Sequence, residues 1–395
     1  MATNPRKTGS VKELALLFLK LGTIAFGGPA AHIAMMEEEV VRRRRWLSKE
    51  KFLDLLGAAN LIPGPSSTEL AIYIGYLQAG WIGLLLAGVC FILPAAIIVT
   101  ALAWAYVQYG SLPQAIGILY GVKPVIIAVI LQALWSLGRT AVKTRFLAVV
   151  GLAAFTLSFL GVNPLIVIFG FGSITGLGRW IFVHKNKERP TRLSLILLLV
   201  TPLLAYVVQT AASSTYATPS SVGPWPIFLI FLKIGSVVFG SGYVLLAFLR
   251  GDLVVHLHWL TDSQLINAVA VGQVTPGPVF TTATFIGYLL AGPYGAFVAT
   301  TGIFIPAFVL VALSGPLIPR IRQSKIAGAF LDGVTVASLS LMAFVTYELG
   351  RAALVDIMTI VLAIASAVLL IRFRLNSGWL VLLGATVGLL TFVLR

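Results

Sequence analysis

Two seven-residue stretches gather the groups best suited to holding an anion: Pro63-Gly64-Pro65-Ser66-Ser67-Thr68-Glu69 and Pro276-Gly277-Pro278-Val279-Phe280-Thr281-Thr282. Proline lacks an amide proton and blocks the preceding turn, and glycine admits positive φ, so no helix runs unbroken through Pro-Gly-Pro. Proline also suits the first turn of a new helix. Each tripeptide is therefore expected to end one half-helix and begin another, whose free amides carry about half a positive charge. Ser66, Ser67 and Thr68, and in the other stretch Thr281 and Thr282, add hydroxyl donors on that first turn, so each end is suited to an anion. A single break of this kind is often a mere kink, because Pro and Gly are common in membrane helices. Its occurrence twice, each time followed by hydroxyls, favours a substrate site.

Other residues are read in pairs. Phe26-Gly27-Gly28-Pro29 and Phe239-Gly240-Ser241-Gly242 mark a second break in each half. Asn60 and Gln273 are amides just before the Pro-Gly-Pro breaks, placed either to donate to an oxyanion or to bond within a helix. Lys20 and Lys233 precede the Phe-Gly breaks. An unpaired ammonium in hydrocarbon costs ~3 kcal/mol on insertion scales, so they either neutralise a bound anion or reach the interface. Glu69 is either a charge capping its helix or a titratable gate that repels an anion until protonated. Glu37, Glu38 and Glu39 precede Arg42 to Arg45 at helical spacing, as in an amphipathic helix at the membrane surface. Lys123 and Asp332 are candidates to pair across the two halves. His32, His184, His256 and His258 form no metal motif and read as polar loop residues. No residue set calls for a cofactor.

The elements that position these groups come in two copies. At an offset of 213, Phe18-Leu19-Lys20-Leu21-Gly22 returns as Phe231-Leu232-Lys233-Ile234-Gly235, Trp46-Leu47 as Trp259-Leu260, and Pro63-Gly64-Pro65 as Pro276-Gly277-Pro278. After the loss of one residue an offset of 212 aligns Ile74-Gly75-Tyr76-Leu77 with Ile286-Gly287-Tyr288-Leu289, and Gly80, Gly83, Pro94 and Gly121 with Gly292, Gly295, Pro306 and Gly333. In a membrane chain, a duplication of this length points to a transporter with its site between the halves.

The chain has 395 residues, 58% of them hydrophobic and 10% charged. Soluble domains run nearer about 25% charged, so this inventory builds no water-facing surface. Apolar runs long enough to cross the bilayer recur, with helices expected at about 81–109, 113–138, 145–160 and 163–183. The formal charge of +15 lies in short runs between apolar segments, which suits anionic lipid rather than nucleic acid. The single cysteine, Cys90, excludes an intrachain disulfide. There is no Gly-x-Ser-x-Gly, no His-Glu-x-x-His and no aspartate pair in the apolar segments, which disfavours a membrane-embedded hydrolase.

Basic loops collect on the cytoplasmic side. In the first half these are Arg42–Arg45, Arg139–Arg145 and Arg179–Arg192, whereas the turns at Gly110 and Gly161 are uncharged. In the second half the match for the Gly110 turn carries Arg320, Arg322 and Lys325, and the match for the Gly161 turn carries Arg372 and Arg374. Only an inverted pair satisfies the rule in both copies. The expected organisation is an all-α polytopic membrane protein of two inverted-topology repeats with broken, re-entrant half-helices. A tail covers residues 1–11, the first repeat 12–185, a linker with one extra crossing near 193–211 spans 186–225, and the second repeat 226–395. The N-terminus is expected in the cytoplasm and the C-terminus outside.

These motifs, above all Phe-Gly-Gly-Pro at 26–29 and Pro-Gly-Pro at 63–65 and 276–278, resemble the chromate ion transporter family in its long, two-domain form. The resemblance implies export of chromate across the inner membrane and hence chromate resistance, and carries a substrate role onto Gly27, Gly28, Pro29, Pro63, Gly64, Pro65, Pro276, Gly277 and Pro278. The second copy departs from it, with Ser241-Gly242 in place of Gly28-Pro29. Sulfate, another tetrahedral dianion, presents the same acceptors and is the alternative substrate. A homodimer is compatible with this reading.

Overall fold

The computed structural model describes residues 10–26, 28–185, 222–239, 242, 244–314, 324–373, 375 and 377–393. The expected extra crossing near 193–211, its linker over 186–221, Gly27, Gly240, Ser241, the basic residues Arg320 and Arg322, and Arg374 lie outside them. In the first half, α1 (Val11–Ile24), α2 (Gly28–Glu37, continued by a π-turn at Glu38–Arg43) and α3 (Lys49–Ala59) lead to α4 (Ser66–Tyr109), α5 (Pro113–Ala141), α6 (Arg145–Phe159) and α7 (Pro164–Lys185). The second half repeats the order: α8 (Pro224–Val237), α9 (Leu245–Leu249, continued by a π-turn at Arg250–His256), α10 (Asp262–Val274), α11 (Thr282–Ser314), α12 (Lys325–Ala353), α13 (Ile357–Phe373) and α14 (Ser377–Val393). Ser66–Tyr109, Pro113–Ala141, Pro164–Ile181, Val279–Ser314 and Ile326–Ala353 are long and apolar enough to cross a bilayer. The chain is a multi-pass membrane protein.

The sequence does not state openly that α4 and α11 are hairpins. In α4 the backbone leaves helical geometry at Ala79 and Gly80, where Gly80 has φ 60°. A β-carbon on Gly75 would overlap the carbonyl of Gly83, and one on Gly88 would press on Ile72. A straight helix would hold residues 75 and 83 about 12 Å apart, so the chain folds back on itself there. In α11 the turn is at Ala291 and Gly292, and Gly287 meets Gly295 in the same way. Thr284 and Thr300 hydrogen bond across that hairpin at 2.7 Å. Each Pro-Gly-Pro is thus followed by a short re-entrant half-helix and then a full span.

The packing is mostly between repeats. Helix α7 lies along α12 and α14 along α5, while the spans of α4 and α11 face each other. Small residues make these approaches close: Gly121 abuts the backbone of Gly384 and Gly388, and Gly333 abuts Phe171 and Thr175. Lipid supplies no hydrophobic drive between helices, so such close backbone contact is what joins them.

Candidate functional site

Both Pro-Gly-Pro breaks are interrupted as expected. Helix α3 stops at Ala59, and the next helix starts at Ser66 with Pro65 extended at φ −78°, ψ 95°. Helix α10 stops at Val274, and a short 3-10 turn at Val279–Thr281 opens α11. Gly64 has φ 137° and Gly277 φ 88°, backbone that only glycine adopts without strain. Gly28 in the Phe-Gly-Gly-Pro break also has positive φ, 76°.

The breaks are tied to each other reciprocally. Gly64 N–H donates to Val238 O at 2.7 Å, and Gly277 N–H donates to Ala25 O at 3.0 Å. Val238 and Ala25 occupy equivalent places in the two copies, each just before its Phe-Gly break. His32 extends this link. Its Nε2–H donates to the same Ala25 carbonyl at 3.0 Å, and in that tautomer Nδ1 accepts from Ser67 Oγ at 3.3 Å. A chain of hydrogen bonds therefore runs from Ser67 beside one break to Gly277 in the other. His32 lies in α2 and is 1% exposed, so the reading of it as a polar loop residue is corrected.

The two ends are not equivalent, and their amides are less free than expected. Thr68 N–H and Glu69 N–H both donate to Pro65 O, in addition to the commitments of Gly64 and Gly277. Thr281 and Thr282 turn their hydroxyls onto the carbonyls of Pro278 and Val279, and so are not free donors. Ser67 gives its proton to His32. Ser66 is buried beside them. What remains is a short set of buried groups without a hydrogen-bond partner: Thr68 Oγ1, Gln273 Nε2 and both carboxyl oxygens of Glu69. Glu69 is wholly buried and curls back over Gly64, where a β-carbon would overlap its Oε1. It stands in the first turn of its helix but hydrogen bonds no amide there. Phe26 is 47% exposed, whereas Pro63 is half-buried and Pro65, Pro276 and Pro278 are buried.

The lysines find acids nineteen residues on. Lys20 Nζ bonds Glu39 Oε1 at 3.0 Å and Lys233 Nζ bonds Asp252 Oδ1 at 2.9 Å. Glu39 and Asp252 are themselves repeat equivalents, so the pair is duplicated, and neither lysine is an uncommitted counter-charge for an anion. Arg43 and Arg44 also reach Glu39. Burial alone would raise the Glu39 carboxyl, but the Lys20 hydrogen bond and the charges of Arg44, Lys20 and Arg43 together hold it below its ordinary range. Lys123 and Asp332 do not pair: Lys123 donates to Ser263 at 2.8 Å and Lys143 takes Asp332 at 2.7 Å.

Those last contacts lie in two cavities at repeat-equivalent positions. One, of about 260 Å³, is lined by Asn60, Thr140, Lys143, Phe239, Asp332 and Thr335. The other, of about 320 Å³, is lined by Tyr120, Lys123, Ser263, Asn267, Ala352 and Val355. Thr140 and Lys143 match Ala352 and Val355 at the 212 offset, and Asp332 and Thr335 match Tyr120 and Lys123. The first reaches the breaks through Asn60 and through Phe239, the neighbour of Val238. A larger groove of about 860 Å³ between the spans of α4 and α11 is lined mainly by apolar residues such as Leu93, Ile97, Trp104 and Phe297, and offers little to an oxyanion.

The sequence profile described as chromate transporter matches residues 12–177 and 225–389. A chromate transport protein of Cupriavidus metallidurans is 33% identical over 98% of this chain and 94% of its own length. A probable chromate transport protein of Synechococcus elongatus is 35% identical over 91% and 89%, and a chromate transport protein of Pseudomonas aeruginosa 32% over 97% and 93%. No solved structure matches the chain.

Proposed function

The chain belongs to the chromate transporter family, and from that premise we propose that it carries the chromate dianion outward across the cytoplasmic membrane by alternating access, its substrate bound at the linked Pro-Gly-Pro breaks. The reading rests above all on Thr68 Oγ1 and Gln273 Nε2, a buried, unpartnered donor beside each break. A buried donor left unsatisfied costs about 1–3 kcal/mol, which an arriving oxyanion removes. Asn60 adds an amide where the first cavity meets the site. The half-helix starting at Ser66 contributes its positive end.

The two repeat-equivalent cavities serve as entry and exit, one opening toward each face, with the N-terminus in the cytoplasm and the repeats inverted. An inside-negative potential favours outward movement of two negative charges by about 4.6 kcal/mol per 100 mV, so export runs downhill electrically. The role is transport rather than catalysis, and exported chromate is what gives resistance.

Thr68→Val and Gln273→Leu test the site in proteoliposomes. Each is expected to weaken chromate binding about 10- to 100-fold, since a hydrogen bond to a charged group is worth about 1.5–3 kcal/mol. Thermal stability of the empty carrier should hold or rise, because neither donor has a partner to lose. Wild-type affinity in both variants would sink the site. Inverted vesicles test direction: they should accumulate chromate when the interior is made positive and stop when an ionophore collapses the potential. Excess sulfate in the same assay measures how far the site separates the two dianions.

A further inference from the structure

Glu69 has no role in the hydrogen bonding around it. Its carboxyl is wholly buried, has no hydrogen-bond partner on either oxygen, and belongs to no ion pair among the described residues. Its repeat equivalent, Thr282, is uncharged and satisfied by Val279 O. The asymmetry is therefore chemical as well as geometric: one break has an acid where the other has a bonded hydroxyl.

The neighbouring elements bring no compensating charge. On the same half-helix, Tyr73 bonds Ser314. On α2, His32 is held by Ser67 and Ala25. On α1, Lys20 is taken by Glu39. The charged residues of α3, namely Lys49, Glu50, Lys51 and Asp54, are exposed, and α11 has no acidic or basic residue and presents Ala307 near Gly64. A dianion entering beside an ionised Glu69 would meet a like charge in a low-dielectric site, whereas the neutral acid offers it an O–H donor. Binding of the anion and of a proton at Glu69 must then favour each other by the same factor.

We infer that the proton is a co-substrate, held on the Glu69 carboxyl whenever the dianion occupies the site. This deepens the carrier reading above and rests on it. The proton comes from water on the side where the anion enters, resides on one carboxyl oxygen during the crossing, and returns to water on the other side. One net negative charge then moves per cycle in place of two.

The test is proton uptake by the wild-type protein in weakly buffered detergent with a pH-sensitive dye, over a pH series that starts where chromate is fully the dianion and rises until the empty carrier releases the Glu69 proton. Above that release about one proton should disappear from solution per chromate bound. The apparent Kd should fall up to about tenfold for each unit the pH is lowered, and this slope should vanish in Glu69→Gln. In proteoliposomes, the charge moved per chromate should rise from one to two in that variant. Chromate binding with no proton uptake at any pH in that series would overturn the inference without the help of any variant, as would an unchanged pH slope in Glu69→Gln or a requirement for sodium instead. If wild-type protein binds no chromate, the carrier reading falls with it.

Discussion

Alanine at Gly75 should prevent the chain from assembling, and alanine at Gly287 should do the same. At either position the added β-carbon would overlap a backbone carbonyl, that of Gly83 or of Gly295, across the re-entrant hairpin. A backbone atom cannot rotate away as a side-chain tip can. Relief requires opening the hairpin, and that carries the half-helix and its Pro-Gly-Pro away from the opposite repeat. Overpacking of a well-filled interior costs about 1–3 kcal/mol and more where nothing yields, so a loss of about 3 kcal/mol or greater is expected. Folded yield in detergent and melting temperature measure it. Gly138→Ala and Gly170→Ala are the controls, because a β-carbon there meets nothing within 4 Å; both should behave as wild type. Normal assembly of the Gly75 and Gly287 variants would mean that the half-helices do not fold back.

The second large effect is expected at Lys233. It and Asp252 are only 11% and 13% exposed, so Lys233→Met strands a buried carboxylate, at a cost of about 3–5 kcal/mol. Replacing both, as Lys233→Met with Asp252→Leu, should recover most of that loss, since well-packed apolar groups often match a buried ion pair. The equivalent change in the first copy should be mild. Lys20 is 50% exposed, and Glu39 keeps Arg43 and Arg44, so Lys20→Met should cost about 1 kcal/mol or less. The double variant also separates structure from transport. If it folds and moves chromate normally, the pair only braces α8 against the π-turn after α9; if it folds but fails to transport, Lys233 takes part in the cycle.

These two expectations come from different levels of the molecule. Glycines 75, 80 and 83 and their equivalents at 287, 292 and 295 are all visible in the repeat alignment, and their spacing was the available sign of a hairpin. That spacing does not compel a hairpin, because glycines scattered through an apolar run also fit a straight membrane helix. Lys20 and Lys233 were visible as a matched pair, as were Glu39 and Asp252, but nothing local joins residues nineteen apart across a helix break. His32 gave no signal at all, since its equivalent is Leu245 and its partners Ser67 and Ala25 belong to other elements.

What the sequence determined by itself is the duplication, the membrane-spanning all-α class and the places where helices must stop. Each of these follows from properties a residue has wherever it sits: the length of an apolar run, the missing amide of proline, the φ freedom of glycine. Tertiary structure alone decided that the two breaks bind one another through Val238 and Ala25, that Thr281 and Thr282 spend their hydroxyls on their own backbone, and that Thr68, Gln273 and Glu69 are left without partners. The ties through Val238 and Ala25 depend on which carbonyl reaches which donor across well over a hundred residues of chain, and the threonine bonds, though local, form only where the break leaves those carbonyls in reach. The competition for the break amides is settled by packing between the repeats, and no short stretch of sequence contains both sides of it.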